Sequence, residues 1–279
     1  MASEKEEGED EKKQWPNLWE ESHDMMVIAT AMFFLGKMRK LGRDGKLIDA
    51  ATAEGIQTTP ITSDDIVNAI DANREVVDEL EGTADFGQKL KMPRVDLHAQ
   101  MLHTSLRQSM AVSSPTWRLL EYNDEHAEDG LVYGIAVDDV RRRVIVPFRG
   151  TESAKDWSTN LNAKFCRNRN PLYDRDDEIV VDGKVIKQPK TLVMHRGFRD
   201  YMFGEENEQE EGNEQEKNED DDDKDDDDNH KTKFDSILES VAKAIMEDDD
   251  RLDYDLYTTG FSLGGALTTV FALFAAASS

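Results

Sequence analysis

The chain has 279 residues, with 34 Lys and Arg against 60 Asp and Glu, a formal net charge of −26. That length suits one large α/β domain, alone or with an extension. The acidity excludes nucleic acid as a partner, because phosphate binding needs clustered Lys and Arg, and it opposes simple electrostatic docking on an anionic membrane.

Residues 1–14 are charged and predict disorder, and the stretch Met1–Glu7 has no apolar core of the kind a secretory signal needs. With Cys166 as the single cysteine, an internal disulfide is excluded and the expectation is a reducing, intracellular, cytoplasmic setting. Residues 15–112 predict a helical extension. Its first helix runs Asn17–Leu41, with apolar residues spread widely around it and Gly42 as the stop. The second runs Asp64–Leu80, capped by Thr62 or Ser63 and followed by Gly82, and a third covers Val95–Met110. Met25–Leu35 and Leu263–Ala277 are apolar but too short to span a bilayer, so no transmembrane segment is expected.

From residue 113 the period changes to that of an α/β domain, assigned to 113–279. Trp117–Tyr122, Val132–Val137 and Arg143–Phe148 predict strands, the last two joined through Asp138-Asp139-Val140-Arg141. Glu178–Ile186 alternates around Asp182-Gly183, a two-residue hairpin signal, and Thr191–Met194 is a further short strand. An acidic insertion at 205–231 then interrupts the pattern: Glu205–Asp228 holds 16 acids and 2 lysines, a net of −14. Its composition cannot bury apolar surface, so it predicts a disordered surface loop. A cation-binding or basic-protein-binding role is the alternative, but the spaced ligands and glycine of a calcium loop are missing. Phe234–Met246 predicts an amphipathic helix and Asp253–Thr259 a strand.

That strand leads into Gly260-Phe261-Ser262-Leu263-Gly264, a Gly-x-Ser-x-Gly pentapeptide, followed by the apolar, proline-free Gly265–Phe274. Strand, sharp turn and helix are the context of a nucleophile elbow, and small flanking residues let a strained serine sit between close backbones. Ser262 is therefore the candidate nucleophile. His195 ends a strand ahead of the serine, whereas the base of such a triad follows it, so His195 is assigned a structural role, as are His98 and His103 in a predicted helix. Asp138 and Asp139 are turn residues. Nothing activates Cys166, and no cluster has metal-ligand spacing, so neither metal nor cofactor is expected.

Three segments carry a resemblance: Val144–Thr151 followed by Asp156–Asn162, Met194-His195-Arg196-Gly197-Phe198, and Tyr257–Leu267. Together they resemble the class 3, fungal-type lipases of the α/β-hydrolase superfamily over roughly residues 115–279. That family usually has His where this chain has Phe261. The resemblance implies an α/β-hydrolase fold with a mixed sheet and hydrolysis of a glycerolipid or small ester through an acyl-serine on Ser262. It implies an oxyanion hole from the N–H of Leu263 and of Thr151, and it places Trp157 in the lid, facing substrate, with peripheral lipid contact. It also places the triad's Asp and His after the serine, where this sequence has no Asp, Glu or His. The chain as it stands is then incomplete at its C-terminus, and turnover near background is expected. Two readings stay open: a fragment of a complete lipase, or a short inactive relative that binds partners through its fold and acidic tract.

Overall fold

A computed structural model describes residues 18–47, 50–73, 116–124, 131–150, 164–173, 179–181, 184–186, 188–204 and 231–278. Five strands form the main sheet: β1 (Ile61–Thr62), β2 (Arg118–Asn123), β3 (Tyr133–Asp138), β4 (Arg143–Phe148) and β9 (Asp255–Gly260), in the order β1-β2-β3-β4-β9. The first four run antiparallel to their neighbours. β9 runs parallel to β4, with Val146 opposite Thr258 and Phe148 opposite Gly260. Every residue of β3 and β4 is buried. A strand covered on both faces reads as a continuous apolar run rather than an alternation, which is what Val144–Phe148 shows. Four short strands lie outside this sheet. β5 (Phe165–Arg169) pairs with β8 (Thr191–His195), and β6 (Ile179–Val181) with β7 (Lys184–Ile186).

Helices cover both faces, because the side chains of a strand alternate. On one face α1 (Leu18–Arg43) and α3 (Ser63–Ala72) pack Ile28, Leu35, Met38 and Ile66 with Leu119, Ala136 and Ile145; the short α2 (Ala50–Gly55) lies between them in sequence. On the other, α4 (Arg196–Phe203), α5 (Lys233–Met246) and α6 (Leu263–Ser278) pack Met202, Ile237 and Phe271 with Ile135, Val144, Val146 and Phe148. Phe271 lies 5.6 Å from both Phe148 and Phe234, and Phe203 lies 4.7 Å from Phe274, so one aromatic cluster joins β4 to all three helices. Capping boxes start two of the helices. Thr62 and Asp65 exchange backbone and side-chain hydrogen bonds at α3, as do Thr232 and Asp235 at α5.

Each predicted strand has an observed counterpart within about two residues, the usual scatter of element ends, while β1 and β5 have no predicted counterpart. The first helix extends through Gly42 to Arg43. The sequence sets residues 15–112 apart as an extension, yet α1 is a layer of the α/β body: it lies on the same sheet as β4 and β9. The disorder expected at 1–14, the third predicted helix with His98 and His103, the Asp182-Gly183 turn and the acidic insertion up to residue 230 lie outside the described residues.

A buried ion cluster holds α1 on the sheet. Arg143, at the start of β4 and 1% exposed, donates to Glu21 and to Asp24 (3.0 Å) on α1 and to Asp138 (3.2 Å) on β3. Its guanidinium also lies over the Tyr257 ring of β9, at 5.4 Å. Arg141 adds contacts to Asp138 at 3.2 Å and Asp24 at 3.3 Å, and the Thr116 hydroxyl donates to Asp138 at 2.6 Å. Asp138 is thus more than a turn residue. Burial alone would push its carboxyl pKa up, but the bonds from Thr116, the Arg141 N–H and Arg143 outweigh burial and hold it below the ordinary 3.8. Removing the cation strands the carboxylates, so Arg143→Ala should destabilise by about 3–5 kcal/mol, read as a shift in urea midpoint. A depressed folded-state pKa contributes stability that is present above the ordinary carboxylate range and lost as pH falls through and below it. The loss of stability between neutral pH and about pH 3 should therefore be smaller in Asp138→Asn than in the unaltered chain. An equal loss in both would show that the cluster does not govern acid stability.

Candidate functional site

At its C-terminal end β9 turns sharply into α6. Ser262 sits at the corner with φ +56°, in the left-handed region that a serine rarely occupies. The turn is closed by Gly264 N–H to Phe261 O and Gly265 N–H to Ser262 O, both 3.0 Å. The serine is exposed and the residue before it, Phe261, is 59% exposed, while Leu263 and Gly264 are buried.

Glycine is required here by distance. A Cβ on Gly260 would lie 2.3 Å from the carbonyl carbon and oxygen of Gly264, and one on Gly264 would lie 2.5 Å from Phe148 O. Gly150 meets the same constraint, 2.6 Å from Phe261 O. The clashing atoms are backbone and cannot rotate away. The glycines therefore bring three segments together: the end of β4, the serine turn and the first turn of α6. Thr151 follows directly on Gly150 in this cluster, but Thr151 and Trp157 lie outside the described residues. Leu263 is the first residue of α6, so its N–H has no acceptor within the helix. A small cleft opens beside this junction, lined by Leu131, Val132, Arg149, Gly150, Tyr201, Leu263 and Leu267.

Of the predicted site residues, the structure places Ser262 and Leu263 together at the mouth of β4 and β9. His195 does other work. It ends β8 and caps α4, its Nδ1 accepting from the Gly197 N–H at 3.2 Å, and its ring stacks on Phe198 at 4.7 Å. Cys166 is a half-buried free thiol against the Met194 carbonyl. Among the described residues no group of His, Cys, Asp and Glu could hold a metal ion, and no helix is long and apolar enough to cross a membrane. The cleft residues Leu131, Val132, Arg149 and Tyr201 are absent from the sequence-based site. They come from three separate segments, and only the apolar character of Leu131 and Val132 beside a strand hinted at them.

A family model for class 3 lipases matches residues 145–279. It begins within β4, a narrower span than the resemblance beginning near residue 115. Among solved structures the chain is similar to the Lip2 lipase of Yarrowia lipolytica, with 18% identity and a TM-score of 0.35, over 59% of this chain and 42% of that one. The match thus spans less than half the length of that lipase. No curated protein matches the chain.

The glycine contacts yield a paired test. Gly264→Ala should destabilise by about 1–3 kcal/mol or more, since its methyl meets fixed backbone. Gly265→Ala, whose nearest neighbour is Gly260 O at 3.3 Å, should be close to neutral, because alanine favours the helix and offsets the tight contact. Equal effects in chemical unfolding would refute the close-approach argument.

Proposed function

We propose, from the match of residues 145–279 to the class 3 lipase family, that this chain has the α/β-hydrolase fold and the chemistry of a serine carboxylic-ester hydrolase acting on glycerolipids. The observation that carries the reading is Ser262 at positive φ between β9 and α6, with Gly260 and Gly264 two residues away on either side, where a Cβ would collide with backbone. A hydroxyl on such a corner stands clear of the backbone and can reach an ester carbonyl from one side.

Attack by Ser262 Oγ forms the tetrahedral intermediate, and its oxyanion is received by the Leu263 N–H and the Thr151 N–H. Leu263 opens α6 at the three-segment junction, and Thr151 follows Gly150 in the sequence. The positive end of the α6 dipole adds to their effect. The ester C–O bond breaks, the departing oxygen takes up the serine's proton and leaves as an alcohol, the acyl group stays on Ser262, and water then hydrolyses it to the carboxylic acid and free Ser262. The adjoining cleft, with Tyr201, Leu263 and Leu267 on its walls, suits an apolar portion of the substrate. Trp157 would present an apolar body to lipid. The mechanism requires no metal or cofactor. A reducing, intracellular setting agrees with the free Cys166 thiol.

The proton on Ser262 needs a base. Residues 263–279 contain no His, Asp or Glu, and the Nδ1 of His195 is engaged at α4. Catalysis without a base retains only the contribution of the oxyanion hole and of binding. The test is therefore covalent rather than kinetic. With imidazole added to act as the base, an alkyl fluorophosphonate should form one adduct, on the peptide carrying Ser262, that is absent in Ser262→Ala. A complete lack of labelling at Ser262, or labelling that survives the substitution, would remove the nucleophile and the function with it.

A further inference from the structure

Among the described residues of this strongly acidic chain, the β5–β8 ribbon presents a basic face. In the β5–β8 ribbon, Phe165 pairs with His195, Arg167 with Val193 and Arg169 with Thr191. Directly opposed residues project to the same side of a sheet, so Phe165, Arg167, Arg169 and Val193 share a face. All four are exposed, Phe165 by 71% and Val193 by 63%. The residues between them, Cys166, Asn168, Leu192 and Met194, are half-buried, so the ribbon has an inner side and an outer side. Lys164 and Lys190 stand exposed at its ends. The segments 164–173 and 188–195 contain no Asp or Glu.

We propose that this outer face docks the protein on an anionic lipid surface. Phe165 and Val193 are large apolar groups held in water on a strand pair, and interleaved arginines beside them match a boundary where acyl chains meet charged headgroups. Arginine also keeps its aliphatic stem in the apolar layer while its guanidinium reaches phosphate. The net charge of −26 does not forbid this. At physiological ionic strength charges beyond about 8 Å are largely screened, so the residues in contact decide the sign. An acidic protein would match the arginines but would have to bring its own pockets for Phe165 and Val193, whereas an acyl layer takes up apolar side chains without a matched shape. The surface is distinct from the Ser262 corner, and the proposal does not depend on ester hydrolysis.

The experiment is co-sedimentation of the full chain, carrying Ser262→Ala so that nothing is turned over, with vesicles of phosphatidylcholine alone or mixed with phosphatidylserine. The mixed vesicles should bind at least about tenfold more tightly, and added salt should weaken them. Each cation near an anionic surface contributes about fivefold, so Arg167→Glu with Arg169→Glu should lower binding about 25-fold or more. Phe165→Ser should weaken binding while keeping the preference for phosphatidylserine. It also serves as the independent variant should the charge reversal impair folding, which a thermal melt would reveal. No binding to mixed vesicles, equal binding to both kinds, or indifference to Phe165→Ser would overturn the proposal. So would displacement by soluble glycerophosphoserine, which would mark a headgroup site, or tighter capture by polyglutamate, which would assign the face to acidic proteins.

Discussion

The architecture depends on a cation placed where cations are seldom found. Arg143 is buried between α1 and the sheet, and its three carboxylate partners come from α1 and β3. A lone guanidinium in that position would be strongly unfavourable, so each element needs the others to be present. Arg143 also opens β4, the strand on which β9 is laid in parallel, with Arg143 opposite Asp255. α1 then reaches the nucleophile strand directly, where the Thr259 hydroxyl donates to Met25 O at 2.9 Å. The serine corner is consequently supported from two sides, by β4 in the plane of the sheet and by α1 across its face. The family match begins at Ile145, so α1 lies outside it and still helps to hold the serine strand.

A second ionic clamp repeats the principle on the same side of the molecule. Asp124, at the end of β2, receives Arg39 through two bonds of 3.2 Å and Arg43 at 2.6 Å. Arg39 also donates to Ile56 O at 2.8 Å and stacks over Tyr122 at 5.0 Å. Burial would raise the pKa of Asp124, and the two arginines lower it below the usual range. The clamp ties α1 to β2 and to the segment after α2. One long helix is thus pinned near each end by charge and along its middle by Ile28, Leu35 and Met38.

The serine corner was legible because its requirements are local. Gly260, Ser262 and Gly264 stand at a fixed spacing, and the strand before them and the helix after them announce themselves by composition. β4 was legible for a similar reason, as a run of apolar residues with no interruption. The role of α1 was hidden. Glu21, Asp24, Asp138 and Arg143 look like solvent-facing charges when read one at a time, and only the fold brings them within hydrogen-bonding distance. Arg167 and Arg169 were obscured differently, since a net charge of −26 averages a basic ribbon away. The cleft residues escaped because Arg149 and Tyr201 meet only after β4 and α4 are packed. Thr151 and Trp157 rest on resemblance to the family.

The parallel pairing of β4 with β9 has a consequence for what the chain can carry. The two strands are neighbours in space and remote in sequence, as Arg143 opposite Asp255 shows. Loop-closure entropy rises only logarithmically, so doubling the intervening length adds about 0.6 kcal/mol. The acidic stretch from Glu205 to Asp228 falls within that interval. Evolution can lengthen, shorten or recharge such a segment with small effect on the corner it precedes, whereas one methyl group at Gly264 collides with Phe148 O at 2.5 Å. Variation is therefore admitted along the contour of the chain and refused at the junction where its strands end.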